Sequence, residues 1–238
     1  VCAGQPPAAC PHYDRFALCH CASFYLLFPL KHDPMSNQRE NAELEWRDGD
    51  IPVATRFDDP YFSLDNGRAE TEFVFLSGND LPKRFAPNFH AAELGFGTGL
   101  NLLCLWQLWL QTGQRGQLHF TSFEAFPMQA AAMKRAHSAW PELREVSEMF
   151  WQHWDDTRQR LECDTLSVQV IQGDARETLH DWRGQADAWF LDGFSPAKNP
   201  ELWGGDLMDQ VAQHTKPGGT FATYTAAGHV RQSLAKAG

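Results

Sequence analysis

From Phe89 onward, short apolar runs alternate with longer stretches of helical periodicity, and this rhythm predicts strands and helices in alternation. Phe89–Leu94 reads as a buried strand, Leu100–Leu110 as an apolar helix, and Leu118–Phe123 as a second strand with Leu118, Phe120 and Ser122 on one side. Pro127 suits a first helical position, with the helix continuing over Met128–Trp140. Leu166–Ile171, Ala186–Leu191 and Thr220–Tyr224 supply three more strands, separated by helices over Ala175–Trp182 and Asp206–His214, with Pro217-Gly218-Gly219 as a turn. Ala186–Leu191 is nearly all apolar, as a central strand covered on both faces must be. Upstream, between Glu43 and Asn79, the pattern is shorter: a strand over Pro52–Phe57, a turn at Asp58-Asp59-Pro60, a second turn at Asp65-Asn66-Gly67, and Glu72–Leu76 as a strand or the start of a short helix. The fold class expected is α/β, a doubly wound, mostly parallel sheet preceded by a small β-rich segment.

The division expected is a leader over residues 1–34, the β-rich segment over 35–88 and the α/β core over 89–238. The leader differs from everything after it: it clusters Pro, Cys and His, and Met35-Ser36-Asn37-Gln38 reads as a natural start. Cys10, His12, Cys19, His20 and Cys21 are zinc-type donors, but Cys19-His20-Cys21 is tighter than the usual ligand spacing, so no metal is expected. A full sheet of this type adds strands after the fifth, so the core reads as cut short at its C-terminus.

Composition narrows the function. No apolar run approaches the ~20 residues that cross a bilayer, and only Cys104 and Cys163 fall in the body of the chain, which suits a reducing cytoplasm and no membrane. The formal net charge of −10 argues against broad binding of nucleic acid, whose phosphates are met by Lys and Arg. An RNA partner would have to be gripped locally, by another domain, or through the base being modified.

The candidate chemistry begins at Glu93-Leu94-Gly95-Phe96-Gly97-Thr98-Gly99-Leu100-Asn101, between a predicted strand and a predicted helix. A bare backbone there lets a ligand approach closely. The spacing is G-x-G-x-G; a dinucleotide loop needs G-x-G-x-x-G, and its last position is Leu100 here, while no Gly-Lys-Ser/Thr follows to make a phosphate loop. Glu93 stands at the end of its strand and is expected to point into the crevice where such sheets bind ligands. Glu124, Asp174 and Asp192 follow the next three strands. A carboxylate after the second strand can accept both ribose hydroxyls, and Asp174-Ala175 can meet an adenine through the carboxylate and a backbone N–H. Asp174 alone would equally be a helix N-cap.

Further along, Asp187-Ala188-Trp189-Phe190-Leu191-Asp192-Gly193-Phe194-Ser195-Pro196-Ala197-Lys198-Asn199-Pro200-Glu201-Leu202-Trp203 is a longer and more specific run. With Glu93–Asn101, Phe57–Ser63, Glu72–Leu76, Ser122-Phe123-Glu124 and Lys216–Thr220, it closely resembles the methyltransferase domain of the tRNA 5-methylaminomethyl-2-thiouridine biosynthesis bifunctional family, over roughly Glu43–Gly238. The resemblance implies a sheet of the S-adenosylmethionine-dependent methyltransferase type, with that cofactor held by Glu93, Gly95, Gly97, Gly99, Asn101, Glu124, Asp174 and Ala175. It implies N-methylation of the primary amine of 5-aminomethyl(-2-thio)uridine at the tRNA wobble position. It also implies a following FAD-dependent oxidoreductase domain; no FAD fingerprint occurs in this sequence.

Methyl transfer to an amine is an in-line displacement governed by positioning. Asp192 is the expected catalytic residue facing the amine, either orienting it by accepting its hydrogen bonds or, if burial raises its pKa, acting as base. Phe194 and Pro196 are candidates for an apolar wall against the uracil, with loop packing explaining them equally well. Lys198 is a candidate for a phosphate contact, though a solvated lysine is the plainer reading, and Tyr61 with Phe62 for the substrate side, where core packing is the plainer reading. Trp106 and Trp109 read as core. Two other functions fit the residues: an aminopropyltransferase acting on a small polyamine, and a cofactor-binding fragment without turnover.

Overall fold

A computed structural model describes residues 40–48, 50–63 and 67–237; the leader, with its Cys and His, and residues 65 and 66 of the second expected turn lie outside them. The chain opens on a three-stranded antiparallel sheet, β1 (Leu44–Arg47), β2 (Ile51–Ala54) and β3 (Asp59–Pro60), paired in the order β1-β2-β3. A single α-turn, α1 (Gly67–Glu70), runs directly into a π-helix over Thr71–Ser77. The Glu72–Leu76 stretch is thus helical, and it buries Phe75 and Leu76 while leaving Phe73 in solvent. One apolar face with a polar opposite face is what a surface helix needs.

The main sheet follows. β4 (His90–Leu94), β5 (Leu118–Glu124), β8 (Leu166–Gln172), β9 (Ala186–Leu191) and β10 (Thr215–Thr223) are parallel, and β6 (Trp154–Asp155) and β7 (Arg160–Cys163) continue one edge antiparallel. The order is β10-β9-β4-β5-β8-β7-β6. The chain moves from β4 to β5 on one side and later returns to β9 on the other, so a topological switch falls at β4, where open α/β sheets form their ligand crevice. The helices are α2 (Leu100–Gln111), α3 (Ala130–His137), α4 (Arg144–His153), α5 (Ala175–Asp181), α6 (Gly205–Gln213) and α7 (Gly228–Ala237).

Strand alternation divides the core into two layers. Ala91, Phe120, Ala188 and Phe190 pack with α2 and its neighbours on one face, while Ala92, Leu94, Trp189 and Leu191 pack with Leu207, Met208, Val211 and Val230 of α6 and α7 on the other. Trp106 and Trp109 are buried in the first layer, as expected.

Three expectations need correction. The strand expected over Pro52–Phe57 ends at Ala54, the turn falls on residues 55–58, and Asp59-Pro60, expected within the turn, pairs back on β2 as β3. The helix expected from Pro127 begins only at Ala130, because the Pro127 carbonyl accepts the Ala42 N–H (3.1 Å) and the segment between crosses toward the N-terminal residues in extended form. The Pro217-Gly218-Gly219 turn is instead a bulge within β10, whose register on β9 slips between Thr215 and Thr220. The Arg84 guanidinium fastens that bulge by donating to the carbonyls of Asp187 (2.8 Å) and Gly218 (3.0 Å).

Candidate active site

A cavity of about 720 Å³ opens at the C-terminal ends of the five parallel strands. Its wall takes Gly95–Thr98 from beyond β4, Glu124–Phe126 from the end of β5, Asp174–Arg176 from beyond β8, Asp192–Ser195 from beyond β9, and Tyr224 from beyond β10. Tyr61, just beyond β3, and Glu70 of α1 complete the lining. The volume lies within the range of small-molecule sites.

The glycine loop is held open by its neighbours. Gly95 donates to the Phe123 carbonyl (2.9 Å), and Gly97 donates to the Glu124 carboxylate (3.0 Å), which also accepts the Phe126 N–H (2.8 Å). Burial pushes Glu124 above the usual carboxylate range, and these backbone donors oppose the shift. At Gly97 the backbone is left-handed (φ +53°), and a Cβ would stand 2.9 Å from the Tyr61 ring. At Gly95 (φ +87°) a Cβ would meet the Asp192 carbonyl at 2.9 Å. Both positions therefore demand glycine twice over, by conformation and by space. Gly99 does not line the cavity; it caps α2 in the left-handed conformation.

Behind the loop stands His137, which sequence reasoning missed. Its Nε2 lies 2.7 Å from the Thr98 carbonyl, and its Nδ1 accepts the Trp151 indole N–H (3.1 Å). Burial lowers its pKa to about 4, so the ring is neutral and donates through Nε2. A histidine 39 residues beyond the threonine carbonyl it supports leaves no local motif.

Asp192 stands on the cavity wall with one oxygen accepting the Asn101 amide (2.7 Å) and the other its neighbour's Gly193 N–H (2.9 Å). Burial raises its pKa to about 6, against the pull of these donors. Glu93 lies under the wall rather than on it: it is 1% exposed, and it accepts from Asn101 (2.9 Å) and Ser122 (2.7 Å). Burial pushes it well above the carboxylate range. The correction has a simple cause. Glu93 is one residue short of the strand end, and alternation turns it with Ala91 onto the α2 face instead of out of the sheet. The Asn101 amide is correspondingly engaged by protein groups.

Asp174 caps α5 by accepting the Arg176 N–H (2.9 Å) and pairs with the Arg176 guanidinium (Nε 3.0 Å), which holds its carboxyl below the usual range. It reaches the cavity together with Ala175. Phe194 also lines the cavity, stacked on Phe57 (centroids 4.6 Å apart) and edge-on to Tyr61 (5.2 Å). Pro196 and Lys198 do not line it. Lys198 instead bonds the Asp58 carbonyl and the Asp59 carboxylate (3.3 Å), while Asp59 accepts the Ser195 N–H (3.0 Å), so this loop is tied down onto β3. Burial beside Glu124 raises the Tyr61 pKa, keeping the phenol neutral. Phe62 is core, packed edge-on to Trp140 (5.3 Å). In all, seven carboxylates and two guanidinium groups line the cavity.

Against known proteins, the family model of S-adenosyl-L-methionine-dependent methyltransferases matches residues 141–238. The chain is 42% identical over 85% of its length to the tRNA 5-methylaminomethyl-2-thiouridine biosynthesis bifunctional protein of Aliivibrio fischeri. It is 43% identical over 83% of its length to the protein of the same name from Pseudomonas fluorescens. It spans about a third (32%) of each of these relatives. Among solved structures, MNMC2 from Aquifex aeolicus superposes with a TM-score of 0.66 at 27% identity, over 85% of this chain and 65% of that one. Among the described residues no helix is long and apolar enough to cross a membrane.

Proposed function

We propose, from the premise that this chain belongs to the S-adenosyl-L-methionine-dependent methyltransferases, that it methylates the primary amine of 5-aminomethyl(-2-thio)uridine at the wobble position of tRNA, giving 5-methylaminomethyl(-2-thio)uridine. The observation that carries the reading is the placement of Asp192, a half-buried carboxylate beside the bare Gly95–Gly97 backbone in an acidic cavity.

The residues present fit the cofactor. A Cβ at Gly97 would fill the cradle, and the carboxylates around it suit a cation. The backbone of Gly95 and Gly97 would flank the cofactor, Glu124 would accept its ribose hydroxyls, and Asp174 with Ala175 would receive its adenine, for which Arg176 must share its carboxylate. Bound there, S-adenosylmethionine supplies an electrophilic methyl group.

The protein's part is to present a neutral amine in line. Asp192, ionised above about pH 6, accepts a hydrogen bond from the amine N–H and fixes the direction of its lone pair. Its raised pKa also brings it closer to the role of proton acceptor than an ordinary aspartate (~3.9) would be. The proton released from the secondary ammonium product then passes by way of this carboxylate to water. Phe194, braced by Phe57, offers its face to the uracil, and Tyr61, whose ring lies against Gly97, closes the cavity beside the glycine loop. The substrate partner is tRNA and the setting the cytoplasm; the relatives, of which this chain spans about a third, are named bifunctional, and we assign the FAD-dependent oxidoreductase that the resemblance implies to their further length.

The test is transfer of labelled methyl to tRNA bearing 5-aminomethyluridine, with mass analysis of the nucleosides. A gain of one methyl on that nucleoside is expected. Aminopropyl transfer from decarboxylated S-adenosylmethionine to putrescine or spermidine, with no methyl transfer to tRNA, would establish the aminopropyltransferase reading in its place, and calorimetric cofactor binding without any transfer would leave a binding fragment.

A further inference from the structure

The Asn101 amide sits between two carboxylates. Its Nδ2 donates to Glu93 (2.9 Å) and to Asp192 (2.7 Å), and its Oδ1 accepts the hydroxyl of Thr71 (2.7 Å). Thr71 and Asn101 are 3% and 7% exposed, so water contributes little to this arrangement. An amide can in principle turn over, exchanging oxygen for nitrogen, and its hydrogen-bond partners decide which way it stands. A flip would aim the carbonyl oxygen at two carboxylates and its NH₂ at a hydroxyl that can accept only one of the two protons. Thr71 is the first residue of the π-helix, a widened turn of the sort that recurs at functional sites.

We propose that Thr71 and Asn101 are positioning residues for Asp192: the Thr71 hydroxyl locks the Asn101 amide, whose NH₂ group is divided between Glu93 and Asp192 and holds the reactive-end carboxylate in place. The proposal rests on the reading that Asp192 faces the substrate amine. It gives Asn101, which lines the cavity together with Thr71, a role toward Asp192, and gives the π-helix a reason to be next to the sheet.

The electrostatics require such a device. The groups acting on Asp192 are Glu93 from β4, Glu70 from the end of α1, and Tyr224 beyond β10, with Glu124 coupled to Glu93 and Asp59 to Tyr224 at one remove. All are acids. Only the Asn101 amide and the Gly193 N–H offset them. Loss of the amide must therefore raise the proton affinity of Asp192, and loosening it must do so by less.

The experiment is a carbon-13 NMR titration of protein labelled at its aspartate carboxyls, with the Asp192 signal identified by its loss in Asp192→Asn. In Asn101→Leu the midpoint is expected to rise about tenfold in proton affinity, the scale of one charged hydrogen bond. In Thr71→Val it should rise about two- to threefold, and Thr71→Ser should restore it. An unmoved midpoint in Asn101→Leu overturns the proposal. Should that variant fail to unfold cooperatively in urea, Thr71→Val decides, and a midpoint equal to that of Thr71→Ser overturns it. The titration needs no substrate, so it stands apart from the methyl-transfer assay. If tRNA is not methylated while the midpoint moves, the functional reading falls and the positioning of Asp192 remains.

Discussion

Replacing Asp192 with Asn changes the pH dependence of folding in a way the structure lets us calculate. Burial carries this carboxyl to about 6 in the folded protein, whereas in the unfolded chain it titrates near ~3.9. An acid whose pKa is raised by folding contributes its full stability below about pH 4 and loses it as the pH rises through about 6. A gap of about two pH units sets a ceiling of about 3 kcal/mol, and partial contact with solvent brings the expectation to about 1–3 kcal/mol. Asparagine carries no such charge. It keeps an oxygen for the Asn101 amide but turns its own NH₂ toward the Gly193 N–H, a loss of about 1 kcal/mol that is the same at every pH. The wild-type curve alone would mislead, because His90 and His137, each lowered to about 4 by burial, destabilise the fold as the pH falls from about 6.5. Only the difference between the two proteins isolates Asp192. Urea unfolding from pH 4 to pH 7 should show the variant gaining 1–3 kcal/mol (roughly, from the same linkage) on the wild type up to about pH 6.5 and nothing beyond. Two curves parallel to within about 0.5 kcal/mol would refute the assignment of a raised pKa. In the methylation assay the wild-type kcat should fall on the acid side with a midpoint near about 6, and the variant should lose about 100-fold or more.

Gly97→Ala places a Cβ where φ is +53° and the Tyr61 ring is 2.9 Å away; calorimetry should show cofactor affinity down at least about tenfold, matching the ~1–2 kcal/mol of left-handed strain alone. His137→Phe leaves the Thr98 carbonyl and the Trp151 N–H without their partner, and urea unfolding at pH 7 should register a loss of about 2–4 kcal/mol that shrinks toward pH 4. Phe194→Leu removes the face braced by Phe57; the KM for tRNA should rise about tenfold, the scale of one stacking contact, while cofactor affinity stays within about twofold.

The parts of the fold governed by short-range pattern were readable in the sequence. Alternation and length identified all five parallel strands, and Ala186–Leu191 matched to the residue because a strand buried on both faces admits almost nothing but apolar side chains. The stretch between Trp140 and Leu166 was passed over. It holds α4 and the antiparallel strands β6 and β7, whose burial depends on partners distant in sequence and whose two to four residues carry no period. In the cavity, Asp192, Glu124 and the glycines were legible because each ends a strand or bends one. Glu93 was misplaced by a single step of the pleat. Lys198 and Pro196 were read as ligand contacts from their neighbours in sequence, yet the loop they belong to turns back onto Asp58 and Asp59. Thr71 and His137 were invisible for one reason: each acts through a hydrogen bond to a residue about 30 or more positions away, and no motif spacing records that.

The charge of the cavity bears on how an acidic protein would take a polyanion as substrate. Two unit charges about 5 Å apart interact by about 3 kcal/mol at an effective dielectric constant of 20. A wall with seven carboxylates and two guanidinium groups therefore repels a phosphate and attracts an ammonium. On the proposed reaction, only the base and its aminomethyl arm would enter, with the phosphates kept outside. Selectivity then follows from charge: a uridine without the amine meets the same repulsion near its backbone and gains nothing at Asp192. The same field also presents a difficulty, because it favours the protonated amine, which has no lone pair to give. An Asp192 carboxylate with a raised proton affinity eases that difficulty, since it can hold the amine's proton more readily than an ordinary aspartate while remaining ionised near neutrality. The acidity that draws the substrate in and the burial that lifts the Asp192 pKa are on this account two halves of one device. The amide of Asn101 keeps the second half from going so far that the carboxylate would be neutral when the amine arrives.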